Sequence, residues 1–228
     1  PPASPRRRHP CSPAEVAQFV AAYKTQPDAS VQALVSRLLA SPRHGERWVW
    51  EWLDASRYAD TNGYQGDNER TAWPWRDWVI KAINDNMPYD QFTIWQLAGD
   101  LLPNATKEQK LATAFVRNHM INGEGGRIAE ENRIEYLFDQ VETVGTVWLG
   151  LTMQCTRCHD HKFDPIPTRD YYALAGILRS TKTIRDPKEN VAHWVDTPLM
   201  LDGKAESAAQ KHEAELAAMK TELDEAKK

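Results

Sequence analysis

Apolar residues in this chain recur at intervals of three and four, segment after segment, and no alternating stretch is long enough to make a convincing sheet. That regularity restricts the fold to packed helices, because a period near 3.6 lines one face of a helix whereas a period of two lines one face of a strand. Ser12-Pro13-Ala14-Glu15 reads as an N-cap, a first-turn proline and a capping-box acid, opening a helix that carries Val16, Phe19, Val20 and Tyr23. Val31, Leu34, Val35, Leu38 and Leu39 make a second helix, which Ser41-Pro42 ends. A third is expected from about Glu46 to Tyr58 with Trp48, Trp52 and Leu53 on one face. After a turn at Asp60-Thr61-Asn62-Gly63-Tyr64, a fourth aligns Trp75, Trp78, Val79, Ala82 and Ile83. Met87-Pro88-Tyr89-Asp90 leads into Phe92, Trp95, Leu97 and Leu101, and helical spacing returns from Asn132 to Leu151. The fold class expected is mainly α: an irregular multi-helix domain with long loops.

The two ends differ from this middle. Residues 1–11 are too rich in proline and arginine to pack and are expected to be a disordered or truncated N-terminal end. Residues 12–200 form the helical domain. From 201 to 228, Ala209, His212, Leu216, Met219, Leu223 and Ala226 follow the a/d spacing of a coiled coil or helical hairpin. So short a seam is not stable alone, so its partner helix is expected to be missing or to lie outside this stretch of chain.

Size and composition exclude several classes. A chain of 228 residues buries a sizeable core without staples, and 41% hydrophobic with 26% charged residues is incompatible with wholesale disorder. No apolar run reaches membrane-spanning length. A formal net charge of −4 argues against a dedicated nucleic-acid binder, and three cysteines are too few for a disulfide scaffold.

The densest chemistry lies in Cys155-Thr156-Arg157-Cys158-His159. Two thiols at this spacing can each add to one vinyl group of haem, and the adjacent histidine then reaches the iron from the proximal side. Zinc is the alternative, held by Cys155, Cys158 and one or both of His159 and His161, completed by Asp160 or Asp164. A structural zinc site would be expected to draw a second ligand pair from elsewhere, and no other Cys-x-x-Cys or histidine pair is present. A reactive dithiol would call for a strand–helix context that this pattern lacks. For the far side of a haem, Met120 is the tentative ligand, His119 would make a bis-histidine site, and an empty position would permit ligand chemistry. His161 and Met153 follow the motif or precede it too closely to reach that side, so His161 is expected to orient its neighbours.

Nine tryptophans are many for such a domain. Trp48, Trp50, Trp52, Trp73, Trp75 and Trp78 are expected mainly as core, with a haem wall or a stacking platform for sugar rings as the alternative. The carboxylates from Asp60 to Asp67 miss the calcium-loop spacing, and Gly123-Glu124-Gly125-Gly126 lacks the lysine of a phosphate loop. Glu130 and Glu131 fit a helix start better than acid/base catalysis, and no catalytic residue is assigned.

Blocks from Gly45-Glu46-Arg47-Trp48 through Arg57-Tyr58-Ala59-Asp60-Thr61-Asn62-Gly63-Tyr64 and Gln96-Leu97-Ala98-Gly99-Asp100-Leu101-Leu102-Pro103 carry a family likeness. It continues through Gly145-Thr146-Val147-Trp148-Leu149-Gly150-Leu151 and Cys158-His159-Asp160-His161-Lys162-Phe163-Asp164-Pro165-Ile166. From roughly Ser41 to Ser180 the chain resembles a planctomycete-type, cytochrome-associated domain of unknown function found in large exported proteins. The resemblance implies a fragment of a larger chain, with a cytochrome c-like domain before it, a coiled coil and a second domain of unknown function after it. It also implies an extracytoplasmic location (periplasm or cell surface) and covalent haem c. The function expected is electron transfer coupled to an extracytoplasmic oxidation. An oxidoreductase acting directly on a carbohydrate-type substrate and a non-redox scaffold with structural zinc are the alternatives.

Overall fold

The computed structural model describes residues 12–185, 191–196 and 203–226, which hold nine α-helices and no strand. The proline- and arginine-rich N-terminal residues 1–11 lie outside the described residues. The helices are α1 (Pro13–Thr25), α2 (Pro27–Leu39), α3 (Arg43–Ala55), α4 (Trp73–Asn84), α5 (Tyr89–Ala98), α6 (Lys107–Ala112), α7 (Ala129–Val144), α8 (Thr168–Leu178) and α9 (Gly203–Ala226). Two isolated antiparallel bridges, Thr61 with Glu69 and Ile184 with Trp194, tie loops together. The mainly α expectation holds.

The start of α1 follows the sequence closely. Ser12 accepts from the Glu15 N–H, and the Glu15 carboxylate accepts from the Ser12 N–H, which satisfies two donors that the helix itself leaves open. Helices α1 and α2 pair as a hairpin, joined also by an Arg37–Glu15 ion pair of 3.0 Å. Their apolar side chains stay largely exposed, so the core begins at α3.

Helix α3 corrects the expected face. Its buried stripe is Gly45, Val49 and Leu53, with Trp52 half-buried beside it, whereas Trp48 is 60% exposed. The reason is a close crossing with α4: a Cβ on Gly45 would stand 2.5 Å from the Ile80 carbonyl oxygen. Asn84 accepts from the Gly45 N–H and donates to the Pro42 carbonyl, each at 2.8 Å, fixing that crossing. Trp75, Trp78, Val79 and Ala82 of α4 are buried as their spacing predicts.

The main core is aromatic. Trp52 packs edge-on against Phe92 at 5.0 Å and Trp148 at 4.8 Å, and Trp78 stacks on Phe92 at 5.6 Å. Buried Gln96 accepts from the Trp52 indole N–H at 3.3 Å, so the ring's polar edge is satisfied. Helix α7 buries Tyr136, Leu137, Phe138, Gln140, Val141, Thr143 and Val144, and so packs against structure on several sides. It widens into a π-turn at Gly145–Leu149 and ends at Gly150 in the left-handed region, φ 65°. A smaller cluster of Ile121, Tyr136, Ile184, Ala192 and Trp194 holds the loop before α7 to the segment after α8.

Helix α9 forms where the a/d spacing places one, with Leu216, Met219 and Leu223 exposed. No partner helix covers them among the described residues, so the structure shows the helix itself.

Candidate functional site

The Cys-x-x-Cys-His motif starts in a 3₁₀ turn, Gln154–Arg157, between α7 and α8, and Cys158 and His159 follow directly after it. The residues that are not cysteine or histidine fasten this turn to the domain. Met153, just before it, is buried against Gly145, where a Cβ would meet its Cγ and Sδ at 2.6 Å. Thr156 is fully buried, and its hydroxyl donates to the Met153 carbonyl at 2.5 Å. Arg157 pairs with Glu135 at 2.8 Å, lies 4.0 Å over the Phe138 ring and has its carbonyl bound by the Tyr172 hydroxyl.

With those residues turned inward, the chemistry-bearing ones face out. Cys155 and Cys158 are free and exposed. The exposed His159 ring places Nδ1 2.8 Å from the Asp160 carbonyl oxygen. A carbonyl only accepts, so Nδ1 carries the proton and donates, which leaves the Nε2 lone pair free to bind a ligand. Nε2 has no hydrogen-bond partner among the described residues.

The strand of chain that follows is equally fixed. The Asp160 carboxylate accepts from the Thr168 N–H at 2.8 Å, at the start of α8. His161 is mostly covered, and its Nδ1 accepts from the Asp164 N–H at 2.9 Å while lying 3.0 Å from that residue's carboxylate. One nitrogen cannot accept from the amide and donate to the carboxylate at once. The Asp164 N–H makes Nδ1 the acceptor. His161 thus ties its own loop together through Asp164.

The far-side candidates diverge. His119 is buried, stacked at 5.0 Å on Tyr136 and tilted at 5.0 Å against Trp194. Both its nitrogens are engaged, Nδ1 with the Met120 carbonyl at 2.7 Å and Nε2 with the Thr183 hydroxyl at 3.1 Å. Burial above all, with the Arg70 and Arg117 charges adding, pushes this imidazole down to about 4, so it is neutral at neutral pH. A bis-histidine arrangement would have to break the Nε2–Thr183 bond and expose this buried ring. Met120, by contrast, is 54% exposed, with its thioether resting on Gly63. The loop it belongs to and the motif are moored to the same turn of α7: Tyr136 accepts from the Asn122 N–H at 2.6 Å, and Glu135 holds Arg157.

Arg70 is the residue that sequence reasoning overlooked. Its guanidinium donates to the carbonyls of Ala59, Arg117, Asn118 and His119, so one half-buried charge shapes the whole 117–119 segment. No local motif marks it, because three of its four partners are backbone atoms nearly fifty residues away.

Of the six tryptophans weighed as a platform, Trp75 and Trp78 are buried and Trp52 packs into the core, while Trp48, Trp50 and Trp73 are exposed. A cleft of about 480 Å³ lies past the far end of α8, lined by Arg133, Leu137, Leu178, Arg179, Lys182 and Ile184 among others. No three of the described His, Cys, Asp and Glu residues stand close enough together to hold a metal ion.

Two thiols and one imidazole are thus presented on one anchored segment of a mainly helical domain. The family model of PSCyt2, a protein of unknown function (DUF1549), matches residues 9–183, and the chain belongs to that family. The match reaches back through α1 and α2, further than the likeness read from Ser41 onward. No curated protein and no solved structure matches the chain.

Proposed function

We propose that the domain binds a c-type haem through Cys155, Cys158 and His159 and serves electron transfer within a larger exported protein. One observation carries the reading. Both thiols point outward while His159 is held by its Nδ1–H with Nε2 open, the tautomer a proximal ligand needs. The residues fit the group in donor type as well: two thiols for thioethers and a neutral imidazole for iron.

In this reading Cys155 and Cys158 would hold the haem by adding their thiols, S–H across C=C, to its two vinyl groups, an addition that needs no oxidant. Asp160 keeps the His159 ring in one orientation through its carbonyl, and its carboxylate holds the next turn in register. When bound, the iron supplies reversible one-electron transfer. Met120 is the far-side ligand we assign; its exposure and its mooring beside Glu135 and Tyr136 support that choice. Zinc draws less support, since its ligands would have to converge and no such group is assembled among the described residues. The partners we infer are cytochrome c-like and C-terminal domains of the same parent protein, outside the cytoplasm.

The direct oxidation of a carbohydrate is a second reading, favoured by the exposure of Trp50 (66%) and Trp73 (48%), whose faces are open to sugar rings. Quenching of tryptophan fluorescence by oligosaccharide, lost in Trp50→Ala, would support it.

A pyridine haemochrome assay tests the first reading. The parent gene is expressed with c-type maturation beside a Cys155→Ala, Cys158→Ala form, and both are analysed for bound metal. Loss of one haem equivalent in the double variant is expected. An unchanged haem count, with stoichiometric zinc in the wild type, would overturn it.

A further inference from the structure

We infer that the domain holds a structural water-binding site where the end of α3, helix α7 and the 117–119 segment meet, its partners Ser56, Asn118 and Thr143. The site is independent of any haem. A small cavity with about 10 Å³ of free volume lies between these elements, room for the centre of one water molecule. Ser56, Asn118 and Thr143 all line it, and their Oγ, Nδ2 and Oγ1 atoms are buried without a hydrogen-bond partner in the protein.

That coincidence is the argument. Buried polar atoms in folded proteins are nearly always satisfied, and three that are not rarely surround one space by chance. Ser56 follows the last turn of α3, Thr143 sits in the last turn of α7 and Asn118 precedes His119, so three distant stretches of chain contribute one polar atom each. Thr143 would ordinarily have the carbonyl of the preceding helical turn as an alternative acceptor; here its hydroxyl bonds to nothing in the protein.

The chemistry selects the occupant. A metal cation is disfavoured by the amide donors of Asn118 and by the neutrality of the other two partners. The cavity is too small for an organic ligand. The nearest carboxylate, Asp139, is already paired with Arg57. A single-centre neutral molecule that both donates and accepts meets all three partners, and water serves whichever way the Asn118 amide is turned. Its three hydrogen bonds are the usual number for an internal water.

The consequence is mechanical. The 117–119 segment is held from one side by the Arg70 guanidinium and from the other by this water, which fixes the stretch leading to His119 and Met120.

The test uses the full chain. A crystal structure of the wild type fine enough to place internal waters is expected to show one ordered peak within hydrogen-bond distance of all three atoms. Cavity density that is blank, or Ser56 and Thr143 hydroxyls turned onto backbone carbonyls instead, would overturn the proposal. That density decides even if a variant fails to fold. In parallel, Ser56→Ala, Thr143→Val and their combination are unfolded in denaturant. Partners of one shared water are coupled, so the combined change in unfolding constant should differ from the product of the single changes by more than about twofold. Effects that simply multiply would count against a shared molecule.

Discussion

The guanidinium of Arg157 reaches the Glu135 carboxylate across 2.8 Å while its carbon lies 4.0 Å above the Phe138 ring. One side chain thereby presses the middle of the Cys-x-x-Cys-His turn onto α7 and leaves its two flanking thiols outward. The pair is partly exposed, 35% and 48%, so the ion pair itself contributes little and the stacking matters at least as much. We expect Arg157→Ala to lower stability by about 1 kcal/mol. Arg157→Lys should recover little of it, because an ammonium neither stacks flat nor forks. Denaturant unfolding of the three forms checks this; full recovery by lysine would show that charge alone acts.

Thr156 is the complementary anchor, fully buried with its hydroxyl on the Met153 carbonyl. Thr156→Val keeps the shape and loses the donor, and should cost about 1 kcal/mol. A loss within error, in the same unfolding assay, would mean that the hydroxyl contributes nothing net.

Two glycines rank differently for a stated reason. A Cβ on Gly99 would stand 2.3 Å from the Gln109 carbonyl oxygen, backbone that cannot step aside, whereas on Gly145 it would meet the flexible Met153 side chain at 2.6 Å. Gly99→Ala is therefore expected to destabilise by about 1–3 kcal/mol. Gly145→Ala should cost less, since methionine re-packs and alanine favours helix. Melting temperatures in the opposite order would contradict this reading of the packing.

The pH dependence of stability should carry the mark of His119. Burial holds its folded-state value at about 4, below the ordinary histidine value of about 6.5, so the folded chain keeps the ring neutral. Between those values the unfolded chain binds the extra proton. Stability is therefore complete above about pH 6.5 and falls as pH drops toward 4, by up to roughly 3 kcal/mol from this residue. His119→Gln removes the titration and should flatten that part of the profile. Equal slopes in both proteins would show that the ring is not held neutral.

Much of this fold was legible in the sequence because local rules and packing agree there. Ser12 and Glu15 form the capping box their spacing implies, and Trp75, Trp78, Val79 and Ala82 bury the stripe expected of them. The capped helix α6 escaped notice because it spans six residues, too few to display a period, although Thr106 and Gln109 do form a capping box. Trp48 was misplaced because hydrophobicity alone ranks it above Gly45. What decided the face was room for the α4 backbone, a property of two helices at once. At the site, the two cysteines and the histidine lie within five residues and could be read together, whereas the anchors Glu135, Phe138 and Tyr172 stand further along the chain. The engagement of His119 could not, since Thr183 and Trp194 are distant in sequence.

The most direct measurement is the mass of the peptide that contains both Cys155 and Cys158. The protein would be matured in a host that attaches haem to a control cytochrome. The account predicts that this peptide carries one haem through two thioether bonds and that the adduct disappears in the double alanine form. Recovery of the peptide with free thiols or with a disulfide, while the control cytochrome is fully loaded, would contradict it.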